Sequence, residues 1–303
     1  MKSVLVVGSS NTDMIIRVPR IPRPGETVLG GEFSMAAGGK GANQAVAAAR
    51  AGGRVTFVAR VGEDGFGDRA LAGFAAEGID TRFVLRTPGA PSGLALITVD
   101  ERGENSISVA SGANALLSAG DVEAAAAAFS AADIVLLQLE SPLPTVKAAL
   151  RLARDKGVPV VLNPAPARPL ADDLLRRVAV LTPNEPEAEL LAGVPVRDEE
   201  GAREAAARLR ARGPAAVVVT LGERGAYASS LEFDGLVPAF KAVPVDTTAA
   251  GDVFNGALAV ALAEELPMIE ALRFAQAAAA ISVTRPGAQP SAPTRAEILA
   301  LLE

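Results

Sequence analysis

The sequence predicts an α/β fold, a doubly wound and mainly parallel sheet flanked by helices, with a small β-sheet lid. Short apolar runs recur along the chain, and a stretch of helical periodicity follows most of them. Nearly continuous apolar runs are typical of strands buried on both faces, and their alternation with helices indicates a parallel sheet. The predicted strands are Val4–Val7, Val55–Ala59, Ile134–Leu137, Val158–Leu162, Val178–Leu181 and Val217–Thr220.

Helical periodicity fills most of the remaining chain. The helices predicted between strands are Gly41–Ala51, Gly67–Glu77, Asp121–Ala131, Pro144–Lys156, Pro186–Ala192 and Glu199–Arg212. Three more follow the last strand, at Gly251–Glu264, at Met268–Thr284 and from Thr294 onwards. Polar clusters come directly after several strands, where ligands of such sheets bind.

Two segments depart from this alternation. Residues 13–37 contain a proline-rich turn and then Glu26–Ser34, whose alternating pattern predicts an exposed strand. Leu94–Val109 predicts one strand, a turn at Glu101–Glu104 and a second strand. They are either two surface hairpins or a lid that excludes water from a phosphoryl transfer. We expect one α/β domain over residues 1–303, with the lid inserted from about 13–37 and 94–109.

Composition narrows the chemistry. The chain carries a net charge of -6, which argues against a dedicated nucleic-acid binder because such proteins present a basic face. It contains neither cysteine nor histidine, which excludes disulfides and Ser-His-Asp or Cys-His catalysis and makes transition-metal sites improbable. Acid–base work therefore falls to Asp, Glu, Lys, Tyr or water. The first apolar run is too short for a signal peptide, and no stretch reaches membrane-spanning length, so we expect a soluble, cytoplasmic protein.

The segment Asp246–Gly256 is the most informative one. Small residues lead into a helix whose first N–H groups lack intrahelical partners and attract anions such as phosphate. Asp252 adds a carboxylate at the same place, which suggests a base that removes a proton while the helix end stabilises the developing charge. The alternative is a plain N-cap aspartate.

Two further motifs offer groups to a sugar. Gly38–Gln44 opens a helix, and its Lys40 and Asn43 could donate hydrogen bonds to a polyhydroxylated ligand. It is not a phosphate-binding Walker loop, because glycine follows Lys40. Asp13, in the segment Asn11–Asp13, could accept hydrogen bonds from two sugar hydroxyls. The alternative for Gly38–Gln44 is a tight turn, and the alternative for Asn11–Asp13 is an ordinary turn-and-cap cluster.

Two motifs suit a nucleotide. Asn184 and Glu187 offer the oxygen ligands that Mg²⁺ prefers, although the same pair is also a capping box. Thr220–Gly225 is either a nucleotide-contacting loop or a hairpin turn.

Taken together these motifs resemble the ribokinase family of carbohydrate kinases. Five blocks match in order, and the similarity extends from Val4 to the last helix. The blocks are Gly39–Ala48, Asn163–Ala167, Asn184 with Glu187, Asp246–Asp252 and Thr284–Ser291.

The resemblance implies ATP-dependent phosphorylation of D-ribose at its 5-hydroxyl, with Asp252 as base and the Ala249, Ala250, Gly251 and Asp252 backbone as anion hole. The implied sugar-binding residues are Asn11, Asp13, Gly39, Lys40, Asn43, Glu140 and Asp252. The implied ATP-binding residues are Asn184, Thr220, Gly222, Gly225, Gly251 and Gln276. Asn184 and Glu187 would organise Mg²⁺ through water. A K⁺ site, largely of backbone carbonyls, would comprise Asp246, Thr248, Ser282, Arg285, Gly287 and Ser291.

The resemblance also implies a homodimer formed through the lid, with no nucleic-acid or membrane partner. Two alternatives stay open. The chain could be a kinase of the same family that acts on deoxyribose, another sugar or a nucleoside. It could instead be a sensor that binds sugar and ATP without turnover, although retention of Asp252 argues against that. A nicotinamide-dependent dehydrogenase is disfavoured because no dinucleotide fingerprint follows a strand.

Overall fold

The computed structural model describes all residues from 1 to 303. In chain order its strands are β1 (Ser3–Val7), β2 (Asn11–Arg17), β3 (Glu32–Gly38), β4 (Arg54–Gly62), β5 (Asp80–Thr87), β6 (Gly93–Val99), β7 (Asn105–Ala110), β8 (Ile134–Leu137), β9 (Val160–Leu162), β10 (Val180–Leu181), β11 (Ala216–Thr220), β12 (Ala226–Ser229) and β13 (Asp234–Val237). Its helices are α1 (Lys40–Arg50), α2 (Gly65–Ala76), α3 (Ala119–Ala124), α4 (Ala126–Ala131), α5 (Leu143–Lys156), α6 (Asp172–Leu175), α7 (Glu185–Ala192), α8 (Glu199–Ala211), α9 (Ala250–Ala263), α10 (Met268–Ser282) and α11 (Arg295–Leu302). No helix combines the length and the apolar character needed to cross a membrane.

Nine strands form the large sheet, in the order β13-β12-β11-β10-β9-β8-β1-β4-β5. All neighbours from β5 to β11 are parallel, and β12 and β13 complete one edge as antiparallel strands. The predicted mainly parallel sheet is confirmed. Strand β1 has β4 as its neighbour on one side and β8 as its neighbour on the other, so the strand order reverses direction at β1. A crevice opens beyond the carboxyl ends of β1 and β8 at such a reversal, and that is where ligands bind in doubly wound folds.

Helices cover both faces of the large sheet. Side chains of β1 alternate between the two faces, Val4 and Val6 on one and Leu5 and Val7 on the other. The Val4 face packs against α1, α2, α9, α10 and α11. The Leu5 face packs against α3 to α8. The two layers bury both faces of the central strands, which explains why those strands are almost continuously apolar in the sequence.

Helices α1 and α9 pack unusually closely, and this contact positions the candidate base. A Cβ atom on Gly256 would lie 2.7 Å from both the Ala47 Cβ and the Gln44 carbonyl oxygen, so only glycine allows the approach. The approach brings the first turn of α1 opposite the first turn of α9. Asn43 and Gln44 thereby face Asp252.

The small sheet has the strand order β3-β2-β6-β7. Because β2 pairs in parallel with β6, the two irregular segments join into one sheet and are not separate surface hairpins. The one strand predicted in the first segment was misplaced: the strand is Glu32–Gly38 and not Glu26–Ser34. The segment Asn11–Asp13, for which a turn was the alternative, lies in β2.

Several elements were missed or merged by the sequence patterns. Strand β5 lies at a sheet edge and mixes polar with apolar residues, so it lacks the continuous apolar run of a central strand. Strands β12 and β13 and the short helix α6 were also not predicted. The predicted helix Asp121–Ala131 is two helices, α3 and α4, that meet at Ala125.

Candidate active site

The candidate site lies in the crevice beyond β1 and β8. Glu140 follows β8, and one of its carboxylate oxygens accepts hydrogen bonds from the Ser9 hydroxyl and, at 3.0 Å, from the Lys40 main-chain N–H. The carboxylate therefore satisfies a free N–H group at the start of α1 and ties that start to the end of β1. Gly39 precedes the helix with φ of 89°, and a Cβ there would lie 2.7 Å from the Asn11 nitrogen. This position requires glycine.

Asp252 lies in the first turn of α9 and is only 6% exposed. Its Oδ2 accepts a hydrogen bond of 2.9 Å from the Asn43 Nδ2, and its Oδ1 accepts one of 2.9 Å from the Gln44 Nε2. Burial raises the pKa of Asp252, and Lys40 and the two amide donors oppose that effect. A buried carboxylate with a raised pKa is a stronger proton acceptor than an exposed one, which suits a general base.

Lys40 lies among four acidic side chains. Burial by itself lowers the pKa of Lys40, but the surrounding carboxylates raise it overall. Those carboxylates are Asp252, Glu140, Glu187 and Asp13. The site thus combines one cation with several hydrogen-bond acceptors, which is suitable for holding a polyhydroxylated ligand beside an anionic one.

Asp13 projects from β2 towards this group. Burial is the largest reason that its pKa is raised to about 6, and the charges of Glu140 and Asp252 add to the effect while Lys40 opposes it. A Cβ on Gly38 would overlap the Asp13 carboxylate at 2.2 Å, so the glycine on the paired strand leaves space for it.

The raised pKa of Asp13 has a consequence for stability. Between the unfolded pKa of 3.8 and the folded pKa of about 6 the folded protein binds more protons, so stability falls as the pH rises through this window. We therefore expect Asp13→Asn to stabilise the protein at pH 8, by on the order of 2 kcal/mol, while weakening sugar binding.

Urea unfolding at pH 8 and near pH 4 tests this expectation. The gain should shrink at the lower pH, where Asp13 is protonated in the parent protein. The exposed Asp173→Asn variant is the matched control. A gain that does not depend on pH would contradict the expectation.

The start of α9 offers free main-chain donors. Ala249 has φ of 60° and ψ of 11°, a left-handed conformation that costs free energy in a residue other than glycine. The N–H groups of Gly251 and Asp252 donate to no protein acceptor, and a Cβ added to Gly251 would meet nothing within 4 Å. We call the N–H groups of Gly251 and Asp252 and the space in front of them the anion cradle. An anionic group can approach the backbone there without displacing a side chain.

Asp246 joins two loops beside the cradle. Its Oδ1 accepts a hydrogen bond from the Thr248 N–H and its Oδ2 accepts one from the Gly287 N–H, each 2.8 Å long. Burial acts to raise the pKa of Asp246, but hydrogen bonds from Thr248 and Gly287 lower it overall. The carboxylate therefore stays charged and holds the two loops together.

The predicted K⁺ residues gather around these loops, but their side chains are engaged elsewhere. The Arg285 guanidinium pairs with Glu297 at 2.6 Å, and the Ser282 and Ser291 hydroxyls donate to carbonyl groups of their own turns. The carbonyl oxygens of Asp246, Thr248 and Gly287 accept no protein hydrogen bond. These oxygens fit a cation bound through the backbone. No cluster of three acidic side chains suited to a metal is present.

Two of the predicted nucleotide residues, Asn184 and Thr220, lie at the ends of β10 and β11. Asn184 forms an isolated parallel bridge with Thr220, which places the two motifs side by side. Asn184 and Glu187 form the capping box that was the structural alternative, each side chain accepting the other residue's N–H at 2.9 Å. Glu187 Oε1 has no protein partner, and burial raises the pKa of Glu187. The pair can thus cap α7 and still offer an oxygen to hydrated Mg²⁺.

Two of the predicted ATP-binding residues, Gln276 and Gly225, lie against the carbonyl group of Val237. The Gln276 Nε2 donates to the Val237 oxygen at 2.7 Å, and a Cβ on Gly225 would lie 2.1 Å from the same oxygen. Gly222 has φ of 56° and faces open space.

The site residues predicted from the sequence do not include four polar residues that lie in or behind the site. Asn114 accepts a hydrogen bond from the Ser10 N–H and donates one of 2.7 Å to the Asn11 Oδ1. It therefore orients Asn11, which is one of the predicted sugar-binding residues. Ser9 bonds to Glu140, and Gln44 and Gln138 lie behind Asp252. Gln44 belongs to a matched block and Gln138 follows a strand, so those two had a signal, whereas nothing local distinguishes Asn114.

Comparison with known proteins shows the family to which the chain belongs. The model of the pfkB family carbohydrate kinases matches residues 1–295. The chain is 48% identical to a ribokinase of Haemophilus influenzae over 302 residues, covering 100% of this chain and 99% of the relative. It is 38% identical to a deoxyribokinase of Salmonella typhi over 292 residues, covering 96% and 95%. The structure of Arabidopsis thaliana ribokinase complexed with ribose and ATP superimposes with a TM-score of 0.92 at 35% identity, covering 100% of this chain and 99% of that one.

Proposed function

Because the chain belongs to the pfkB family of carbohydrate kinases, we propose that it transfers the γ-phosphoryl group of ATP to the 5-hydroxyl of D-ribose. The observation that carries the proposal is the position of one buried carboxylate, Asp252, beside the anion cradle and among the acidic side chains around Lys40. Ribokinases that match along the full chain support ribose as the sugar.

In the proposed reaction the hydroxyl oxygen forms a bond to the γ-phosphorus while the bond to the β-phosphate oxygen breaks. The hydroxyl proton passes to Asp252, and ADP leaves. The anion cradle stabilises the charge on the phosphoryl oxygens during transfer. Positioning and electrostatics dominate such reactions, so the absence of histidine and cysteine is no obstacle.

The remaining site residues would bind and orient. Asn11, Asp13 and Asn43 would hold the sugar hydroxyls, with Lys40 and the Gly39 backbone beside them. Glu140 would act partly through α1, since one of its oxygens already accepts from the Lys40 N–H. Asn184 and Glu187 would hold Mg²⁺ through water, and the ion would neutralise charge on the nucleotide phosphates. Thr220 and Gly222 would line the nucleotide site.

We propose that the small sheet acts as a lid over the sugar and as the contact with a second copy of the chain. Four large apolar side chains on the face of this sheet opposite to Asp13 are 41% to 62% exposed. They are Ile16, Phe33, Met35 and Leu96. Exposed apolar surface of this kind marks interaction sites. Light scattering at micromolar concentration is expected to give the mass of a dimer, and Phe33→Lys with Leu96→Lys, both on that face, is expected to give a monomer. A monomeric parent protein would contradict this part.

One assay tests the proposed activity. ADP formation is followed with ribose, deoxyribose, fructose and several nucleosides at equal concentrations. Ribose is expected to give the highest kcat/KM. A nucleoside whose kcat/KM exceeds that of ribose by orders of magnitude would overturn ribose as the substrate but leave the family assignment intact. Deoxyribose is the closest competitor, because it lacks one hydroxyl and a similar relative is a deoxyribokinase.

Monovalent cations are expected to raise the rate. If the carbonyl oxygens of Asp246, Thr248 and Gly287 bind K⁺, the ion fixes the loop that leads into the cradle without touching the reacting atoms. Replacing K⁺ by choline at constant ionic strength should then lower kcat severalfold. Asp246→Ala should lower kcat in K⁺ as well, because the two loops lose their common acceptor. Equal rates in all monovalent salts would refute the cation site.

A further inference from the structure

A buried polar network lies behind Asp252, away from the crevice. We define the amide network as Gln44, Gln138, Asn163, Thr182 and Asn255. Gln44 is 0% exposed and Gln138 is 1% exposed, so neither presents its amide to a ligand in the crevice. A buried amide costs free energy unless it is hydrogen-bonded. Several buried amides at one place therefore call for a physical reason.

Gln44 is the centre of the first part of the network. Its Nε2 donates to the Asp252 Oδ1 at 2.9 Å and to the Asn163 Oδ1 at 3.2 Å, so both hydrogens are used. Its Oε1 accepts from the Gln138 Nε2 at 2.6 Å. The opposite amide orientation would place Oε1 against the Asp252 carboxylate, so the contacts determine the orientation.

The second part reaches the main chain of the anion cradle. The Asn163 Nδ2 donates to the Thr182 carbonyl at 3.0 Å, and the Thr182 hydroxyl donates to the Asn255 Oδ1. The Asn255 Nδ2 then donates to the Gly251 carbonyl at 2.8 Å. The network therefore connects the Asp252 side chain and the Gly251 main chain to the ends of β9 and β10.

The chain leaves space for this arrangement. A Cβ on Gly8 would lie 2.2 Å from the Gln138 Oε1, so the glycine after β1 gives the Gln138 amide its place. The packing of Gly256 against Gln44 likewise brings α1 close enough to α9 for the contact with Asp252. Both glycines serve the position of a side chain, which indicates that the network is a built feature.

We propose that Gln44, supported by Gln138, is a positioning residue for phosphoryl transfer. It holds Oδ1 of Asp252 on the side of the buried network, while Asn43, a proposed sugar-binding residue, holds Oδ2, so that Oδ2 is the oxygen on the sugar side that accepts the proton from the hydroxyl. Through Asn163, Thr182 and Asn255 the same network fixes the Gly251 carbonyl, which keeps the base and the anion cradle at a constant separation. Precise placement of this kind strongly affects rate. The inference rests on the proposed function.

The test variant is Gln44→Leu combined with Gln138→Leu, which removes the donor without leaving the Gln138 amide unpaired. We expect kcat to fall about 10- to 100-fold, because the base loses its fixed position, with the KM for ATP changed by no more than about twofold. The acidic limb of kcat/KM should move to higher pH, since the loss of a donor raises the pKa of Asp252. The other charged groups around Asp252 stay in place. They are Lys40 on α1, Asp13 on β2, Glu140 after β8 and Glu187 on α7.

Thr145→Val is the matched control, because it removes one buried hydrogen bond, to the Leu117 carbonyl, at a distance from the network. It should reduce stability and leave kcat and the pH profile unchanged. If the double variant loses no more activity than this control, with the same acidic limb as the parent, the inference is wrong. The assay uses the sugar that the parent protein phosphorylates fastest.

A second measurement does not depend on activity. The free energy of unfolding is compared for the parent, Gln44→Leu, Asp252→Ala and the combination of the two. Gln44→Leu should destabilise the parent more than it destabilises the Asp252→Ala protein, because only the parent has a buried carboxylate that loses its donor. If Gln44→Leu lowers the free energy of unfolding equally in both backgrounds, Gln44 does not stabilise the Asp252 carboxylate and the inference is wrong. A parent protein that phosphorylates no sugar would instead overturn the proposed function, so the two failures are distinguishable.

Discussion

Asp252→Asn is expected to lower kcat by roughly 10²- to 10⁴-fold, the usual contribution of a general base. The asparagine has nearly the same shape as the aspartate, but its amide cannot accept the hydroxyl proton. The protein should still fold, because burial raises the pKa of Asp252 and a neutral group avoids the cost of burying a charge. One of the two amide donors, from Asn43 or Gln44, must reorient, since the new side chain has a single acceptor oxygen.

ADP formation and sugar binding by calorimetry together check this expectation. Sugar affinity should stay near that of the parent protein, which separates loss of the base from loss of the site. Asp173→Asn, at an exposed position on α6, should leave both measurements unchanged. Turnover within tenfold of the parent would exclude Asp252 as the base, by the magnitude expected of such a group.

Gly251→Ala is expected to lower kcat by about 10²- to 10³-fold while leaving the fold intact. The added methyl group meets no protein atom within 4 Å and extends into open space beside the Gly251 backbone. It would therefore occupy the place of the phosphoryl oxygens and keep them from the N–H groups of Gly251 and Asp252. Alanine also favours the helical backbone, so stability should rise by about 0.5 to 1 kcal/mol.

Gly73→Ala is the matched control, since Gly73 is also a helical glycine with nothing within 4 Å of its added Cβ. It should gain similar stability and keep full activity. Thermal unfolding and ADP formation are measured for both variants. An active Gly251→Ala enzyme would show that the transferred group does not approach this backbone, and the anion cradle would lose its proposed role.

Local sequence features were sufficient for the central architecture. The strand Ile134–Leu137 was predicted with its observed bounds, because a strand covered on both faces must be apolar at every position. Edge strands such as β5 have one side in solvent and carry polar residues, so the same criterion missed them. The split between α3 and α4 at Ala125 was also missed, since alanine gives no sign of a helix end.

Local sequence also determined which residues are candidates for chemistry. Lacking histidine and cysteine, the chain leaves acid–base work chiefly to its carboxylates, and the small residues before Asp252 predict a helix start open to an anion. The structure placed Asp252 there, buried beside free N–H groups. The sequence is sufficient for these two predictions because a helix start is a property of a short segment and the titratable groups follow from the composition.

Tertiary structure alone decided which partners these residues have. Gln44 and Asp252 are 208 positions apart, and they meet because Gly256 lets α9 lie against α1. The raised pKa of Asp13 has the same origin, since burial and the charges of Glu140 and Asp252 come from three distant segments. Hydrogen-bond geometry and burial depend on distances in space, which no short stretch of sequence specifies. The sequence by itself therefore determined the fold class and the candidate base, and the packing of helices on the sheet determined its environment.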